Sequence, residues 1–543
     1  MKGAVEKGLY PSLLLILFLI AELVVQPYGE FPLNDDWSYT KSVHVFLHEG
    51  RIFIGDWGAM TLATNIYWGG LICKILGYSF LSLRISTLVM ALAAVLLLYG
   101  SAVKLGASKF VAFTAALALM FNPYFFSLSN TFMTDVNFVA LTLAGIYTAL
   151  CFFRSQQPIL LLPLMVVSFA LVLLRQYGLF FPFCFFICCL MYRQNRLVNS
   201  LLALFIFAGT ILVFRYYETY LKTIVSPFAM YEFIFYSSEK QQDFAERLFY
   251  NIPRRTFSII QQMLIYGSPA AVLYLVANLK SFGRRTVLCC AIPALVAAVM
   301  LAKDPLQGNI FVNMHLGAET FFESIYPTHG VAGHTYSYTF ELVAAVLAVL
   351  LCGISLAAVF LKAVEIYQSR KIPHQGLMLL FLLIAVYTGL LFVTESYIDR
   401  YHLPLIVLVL LVFAGGNNII TKRFRWLPLI LIALFVYVSV AGTRDYFVLN
   451  RLRWKAYNYL VDDLKVPHRT IHAGFEAKCW DRGAYSWWQT IENLENDQYL
   501  IQYSPAPGFR EMRAYNFRRT FPPRSDKIYI FERSDENSES HKP

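Results

Sequence analysis

The sequence predicts a mainly α fold: a polytopic bundle of about thirteen transmembrane helices with a small extracytoplasmic α/β appendage at the C-terminus. Three observations predict it. First, the 543 residues are 58% hydrophobic and only 15% charged, with a mean hydropathy of +0.54. Soluble domains average about 45–50% apolar and about 25% charged, so lipid is the main solvent here. Second, apolar runs of spanning length recur at 8–27, 82–103, 108–128, 136–153, 158–174, 177–192, 198–216, 256–278, 286–302, 338–361, 376–394, 401–416 and 426–442. Third, basic residues fall in alternate connections.

The first run, Leu9 to Val25, follows Lys2 and Lys7. It is long enough to span, and no small-residue cleavage site follows it, so it reads as a transmembrane helix rather than a signal peptide. With the N-terminus inside, alternate loops carry Lys104 and Lys109, Arg154, Arg193 and Arg196, then Lys280, Arg284 and Arg285, then Lys362, Arg370 and Lys371, then Lys422, Arg423 and Arg425. This positive-inside pattern puts the C-terminus outside. It also explains the formal net charge of +11 without nucleic acid.

Three long outward stretches are expected: 28–81, 217–255 and 303–337. Inside the first, the run 62–78 is interrupted by Gly69, Gly70 and Lys74 and reads as interfacial or re-entrant. From Arg444 the composition turns polar. Arg444–Leu464 reads as a helix, and Thr470–Phe475, Gln498–Tyr503 and Lys527–Glu532 as short strands. The domain expectation is therefore 1–443 for the membrane body, 444–534 for the appendage and 535–543 for a disordered tail. The nine cysteines show no metal-ligand spacing and read as buried thiols. Cys73 and Cys479 both face outward on this topology, so a bridge between them is open, with nothing in the sequence to support it.

Candidate chemistry clusters on the outer side. Asn34-Asp35-Asp36-Trp37-Ser38-Tyr39 lies just beyond the first span. Ionisable residues at membrane depth are costly and tend to be functional. One carboxylate is suited to accept a proton from an attacking hydroxyl and its neighbour to orient it or hold a cation. An ordinary solvated loop is the competing reading. Asp135 opens the fourth span, either as part of the same site or as a helix N-cap with Thr134. Arg400 begins the twelfth span, and Arg84, Arg175 and Arg215 also fall near outer ends. A guanidinium fork matches a phosphate leaving group; snorkelling, or pairing with an acid such as Asp399, is the alternative. His44 and His48 share a helical face but lack the Glu of a zinc-protease motif, so a surface helix explains them. His315, His329, His334 and His402 fall on the same side. Trp480, Trp487 and Trp488 are suited to stacking on sugars or to packing and interfacial anchoring. The chain has no P-loop and no dinucleotide glycine fingerprint, which argues against nucleotide-dependent chemistry.

These residues resemble the GT-C superfamily of membrane glycosyltransferases, in its protein O-mannosyltransferase and lipid A aminoarabinose transferase branch. The matching stretches are Asp35-Asp36-Trp37-Ser38-Tyr39, with Asp36 where that branch has Glu, then His48-Glu49-Gly50-Arg51, Leu83-Arg84-Ile85, Asp135, and Arg400-Tyr401-His402-Leu403-Pro404. Asp445-Tyr446-Phe447 through Trp454, Ala473-Gly474-Phe475-Glu476 and Trp480 are similar to the C-terminal region of bacterial members. The resemblance implies an inverting sugar transfer from a polyprenyl-phosphate donor to a glycan, lipid or protein acceptor. Asp35 would act as base, with Asp36 and Asp135 beside it. Arg400, with Arg84 or Arg175, would hold the phosphate, and Tyr39 and His402 would contact the acceptor or sugar. A divalent cation occurs in parts of that superfamily; nothing in the sequence fixes one, and the cofactor is unknown. A lipid-linked sugar flippase, a polysaccharide polymerase or ligase, and a non-catalytic scaffold are the alternatives. The sequence has no Asn-x-Ser/Thr sequon, which favours a bacterial plasma membrane.

Overall fold

The computed structural model describes residues 2–33, 35–55, 57–191, 195–225, 231, 243–278, 283, 292, 294, 338–369, 375–394, 399–415, 426–482, 497–503, 505–521 and 523–534. The helices are α1 Lys2–Val25, α2 Asp36–Glu49, α3 Ala63–Leu76, α4 Phe80–Lys104, α5 Lys109–Met120, α6 Pro123–Ser129, α7 Thr134–Ser155 and α8 Leu161–Leu174. They continue as α9 Phe180–Met191, α10 Arg196–Ile224, α11 Asp243–Asn278, α12 Tyr338–Ser369, α13 Gln375–Val393, α14 Leu403–Ala414, α15 Leu427–Asn458 and α16 Phe475–Arg482. In hydrocarbon every backbone polar group must find an internal partner, which is why apolar runs of this length become helices.

Twelve of the thirteen expected spans fall on these helices; the run 286–302 lies outside the described residues but for 292 and 294. Among the described residues, seven helices are long and apolar enough to cross a membrane, or eight if the bent pair α5–α6 is one span. Three more, at Pro158–Leu174, Gln176–Met191 and Arg400–Ala414, are apolar but shorter. Leu23, Leu197 and Phe205 stand exposed on the outside of the bundle. The chain is a polytopic membrane protein.

Three local features position the site. The first is the α5–α6 bend of 64°. Asn122 caps α6 by accepting from the Phe125 N–H at 3.1 Å, and Pro123 occupies the first turn, where its missing donor is harmless. The second is the break between α8 and α9. The Arg175 N–H closes α8 on Leu171 O, and the Gly178 N–H returns to Arg175 O at 2.8 Å. A Cβ at Gly178 would lie 2.2 Å from the Leu171 carbonyl carbon, so only glycine lets the chain fold back this closely. The third is α3, whose Tyr67, Leu71, Ile75 and Leu76 are exposed on one flank. Such a stripe suits a helix lying in the interface, as expected for 62–78.

The appendage is a four-stranded sheet of order β1-β2-β4-β3, from β1 Ile471–His472, β2 Tyr499–Gln502, β3 Phe509–Arg519 and β4 Arg524–Arg533. β1 pairs parallel to β2; the other ladders are antiparallel, with a bulge between Glu511 and Arg513. Three of these strands fall on the expected ones; β3 is not among those expected. The expected boundary at 443/444 falls inside α15, which continues without a break to Asn458. At 1.5 Å per residue α15 is about 48 Å long, against a hydrocarbon core of about 30 Å, so its last turns stand clear of lipid. There Asp445 accepts the N–H groups of Thr520 and Phe521 at 2.6 and 2.7 Å, fastening the β3–β4 turn to the membrane body. The tail 535–543 lies outside the described residues.

Candidate active site

Asp35 occupies the N-cap position of α2, yet its carboxylate makes no cap hydrogen bond. An Asp there ordinarily accepts from its own helix. Instead, one oxygen accepts the Trp57 Nε1–H at 2.9 Å and the other the Arg400 guanidinium at 2.7 Å. The pair joins the first outer loop to the start of α14 across 365 positions of sequence. Arg400 therefore pairs with Asp35 and not merely with the neighbouring acid.

Asp135 lies in the first turn of α7, whose N-cap is Met133. It is not a cap. One of its oxygens takes Arg175 at 2.8 Å, and both groups are buried. Its second oxygen has no hydrogen-bond partner. Arg175 is oriented by the Thr134 hydroxyl, which accepts Nε at 2.9 Å and Nη2 at 2.7 Å. The two pairs share one electrostatic neighbourhood: Arg400 interacts with both Asp35 and Asp135, and Arg175 with Arg400. Tyr39 stands among all four. Burial pushes its phenol well up from the usual tyrosine range, and its hydroxyl faces the Met60 sulfur at 3.8 Å. His402 is fully buried at the N-cap of α14.

Two expected site residues take other places. Asp36 is fully buried and accepts the Leu33 N–H at 2.6 Å and the Phe132 N–H at 3.4 Å. It ties the first outer loop to the α6–α7 connection, because its side chain points into the protein at the start of α2. Burial raises its carboxyl to about 7, opposed by the Arg84 charge and the two amides. Arg84 is placed likewise. It is fully buried, donates to Pro27 O at 3.3 Å, to Gly29 O at 2.7 Å and to Phe31 O, and is enclosed by the Phe31 and Phe447 rings. Its fork holds the backbone carbonyls of the loop after α1. Arg215 is exposed on α10.

The appendage closes over the α2 side of the site. Lys41 donates to the Cys479 and Trp480 carbonyls at 3.2 and 2.5 Å, and Trp37, Cys479, Trp57 and Trp480 pack together. Trp480 is thus a packing residue; Trp487 and Trp488 lie outside the described residues. Behind it sit the buried pairs Arg453–Glu476 and Lys478–Asp497, both at 2.9 Å. Cys73 and Cys479 are both free. His44 and His48 lie 4.2 Å apart, ring to ring, beside Tyr78. Among the described residues no three His, Cys, Asp or Glu side chains converge as a metal site. His315, His329 and His334 lie outside them.

Sequence reasoning missed Trp57, which only the folded first loop brings to Asp35. It also read Thr134 as a cap residue, whereas the structure makes it the support of Arg175.

No known protein family and no curated protein matches the sequence. Among solved structures the chain is similar to ArnT from Cupriavidus metallidurans in the apo state, at 12% identity over 95% of this chain and 97% of that one, with a TM-score of 0.39. It is similar to the archaeal oligosaccharyltransferase AglB from Archaeoglobus fulgidus, at 15% identity over 92% of this chain and 70% of that one, with a TM-score of 0.44. It is also similar to the arabinosyltransferase EmbB from Mycobacterium smegmatis, at 13% identity over 93% of this chain and 45% of that one, with a TM-score of 0.32.

Proposed function

We propose that the chain is a GT-C-type membrane glycosyltransferase that moves a sugar from a polyprenyl-phosphate donor to an acceptor hydroxyl or amine on the extracytoplasmic face. The observation that carries the reading is the Asp35 carboxylate, turned away from its own helix and held between Trp57 and Arg400. A structural acid would cap; this one is presented beside two buried arginines at one end of a membrane bundle.

Asp35 acts as the general base. The acceptor oxygen or nitrogen attacks the anomeric carbon from the face opposite the phosphate. The new bond to carbon forms as the carbon–oxygen bond to phosphate breaks, the electron pair leaves with the phosphate, and the proton passes to Asp35. The configuration inverts, and no covalent enzyme intermediate is needed. Arg400 and Arg175 receive the charge that develops on the leaving phosphate, as preorganised donors in a site of low dielectric. Asp135 holds Arg175 in place beside Arg400. The donor's phosphate competes for Arg400, so donor binding itself frees one Asp35 oxygen for the proton. The acids and arginines gather at one end of the bundle, which favours an interfacial enzyme over a carrier with a midplane site. The first outer loop and the appendage then face away from the cytoplasm, in a bacterial plasma membrane.

The test incubates the purified chain with a panel of polyprenyl-phosphate sugars and a membrane glycan extract. Consumption of one donor by the wild type, and its loss in Asp35→Asn, is expected. Unchanged transfer in Asp35→Asn, with stability intact, removes the reading.

A further inference from the structure

A second recess lies away from the Asp35 site, between the loop after α1, the end of α15 and strand β3. Its volume is about 640 Å³, within the roughly 300–1,000 Å³ of small-molecule sites. Trp454 lies about 40 Å along α15 from Leu427 at 1.5 Å per residue, so the recess is beyond the hydrocarbon. Five aromatic rings line it: Tyr28, Phe31, Trp454, Tyr459 and Tyr515. Between them stand three carboxylates, Glu30, Asp462 and Asp463, and three cations, Arg451, Lys455 and Arg513.

The chemistry of that lining selects a ligand class. The formal charges cancel, and Arg451 already donates to Gln26 O and Tyr28 O at 2.9 and 3.3 Å. Glu30 is likewise taken, by the Phe80 N–H at 2.9 Å, so two carboxylates and two cations remain and neither an anion nor a cation meets an excess of opposite charge. Apolar molecules would strand six charged groups against a dry face, which is costly. An uncharged saccharide fits both sets: its C–H face lies on a ring, and its rim of hydroxyls both donates and accepts. The guanidinium of Arg513 rests over the face of Tyr459 at 4.5 Å and of Tyr515 at 5.1 Å, and that of Arg451 over Tyr28 at 4.4 Å, so hydrogen-bond donors stand directly against the rings of the recess.

The recess also shares a wall with the Arg84–Asp36 anchor of the loop after α1. Gly29 and Phe31 contribute to its lining, and their carbonyls hold Arg84, whose charge faces Asp36. Gly29 has φ 138°, and a Cβ there would lie 2.1 Å from the Phe31 ring, so the wall is built on a glycine. We propose that this recess is a carbohydrate-binding subsite for a neutral sugar unit of the acceptor, remote from the bond being made. Only the word acceptor rests on the glycosyl-transfer reading; the binding itself is independent of turnover.

The experiment uses the full chain in lipid nanodiscs and saturation-transfer NMR. The probes are neutral oligosaccharides of glucose, galactose, mannose and arabinose, with glucuronate, inorganic phosphate and a neutral tetrapeptide as comparators. Expected is millimolar or tighter binding of at least one neutral oligosaccharide. Asp463→Asn and Tyr515→Ala, at unchanged melting temperature, should weaken it by about tenfold or more, which is 1.4 kcal/mol. Asp35→Asn should bind as the wild type does, even if it transfers nothing. The proposal is overturned if no neutral saccharide binds, if phosphate or the peptide binds the recess in its place, or if binding follows Asp35 rather than Asp463 and Tyr515.

Discussion

Replacing Trp57 by Phe tests the geometry of the Asp35 carboxylate most directly. The substitution keeps an aromatic ring beside Trp37, which lies 6.4 Å away centroid to centroid. It removes one donor, the indole N–H that meets Asp35 at 2.9 Å. A hydrogen bond to a charged group contributes about 1.5–3 kcal/mol. Trp57 is half-buried, so water can replace part of the lost bond, and the lower end of that range applies. About 1.5 kcal/mol corresponds to roughly a tenfold loss in kcat/KM. In the donor-free protein Arg400 still holds the other oxygen, so the fold is undisturbed; once the donor phosphate takes Arg400, the carboxylate has lost its second anchor and turns freely. The loss should therefore appear mainly in kcat, with the donor KM within about twofold. The assay is initial-rate transfer by the purified chain at several donor concentrations, with thermal melting recorded alongside. A Trp57→Phe protein with wild-type kcat and wild-type melting would refute the claim that Trp57 orients the base. Loss of activity in step with loss of stability would refute it too, since that marks a packing defect.

Other substitutions separate the remaining roles. Arg175→Lys keeps the charge near Asp135 but cannot reproduce the two bonds to Thr134, so kcat/KM should fall by about tenfold to a hundredfold, read by the same rates. Glu476→Gln removes the negative charge that faces the buried Arg453, whose Nη2 also donates to Asn450 at 2.7 Å. Breaking a buried pair costs about 3–5 kcal/mol, so a clear drop in melting temperature is expected, whereas Arg453→Met with Glu476→Leu should recover most of it. Gly178→Ala should reduce both melting temperature and transfer, because its Cβ would meet the α8 backbone 2.2 Å away and displace Arg175. For Asp36 the sign is fixed by its carboxyl standing near 7 when folded and 3.8 when not. The folded chain binds the extra proton between those values, so its stability is fully present below about pH 4 and declines as pH rises through 7. Melting against pH in Asp36→Asn should show a flatter slope over that window.

The membrane fold was legible because lipid leaves few choices. A run such as 426–442 has one way to satisfy its backbone, and the alternating positive loops order the runs. The appendage was legible only where strands alternate. β3 was missed because its sequence FREMRAYNFRR carries charge on both faces and is mostly exposed, so burial gives it no period. Its pairing with β4 supplies what the pattern lacks. At the site, Asp35, Asp135, Arg175 and Arg400 were legible as charges at the ends of apolar runs. Their pairing was not, because the partners lie 365 positions apart in one case. Asp36 and Arg84 looked equally functional by the same rule. Sequence pattern does not separate an acid paired with a distant arginine from one that accepts backbone amides; that depends on which way α2 starts.

This distinction has a consequence for how the site works. Asp35 and Asp36 are adjacent, so at the first turn of α2 they point to different sides. One carboxylate faces Arg400 and Trp57, and the other faces the Leu33 and Phe132 amides. Because Asp36 and Arg84 fix the loop on its inner side, the Asp35 side chain can exchange partners without the backbone moving. On the proposed reading, donor binding needs no closure of the first loop, because the phosphate would take Arg400 while Asp35 keeps Trp57. Two acids facing two arginines are neutral before the donor arrives, and the phosphate tips that balance. A site built to hold phosphate at rest would show unpaired arginines, which are costly at this burial. The pairing with Asp35 and Asp135 is what allows Arg400 and Arg175 to be buried before the donor is there.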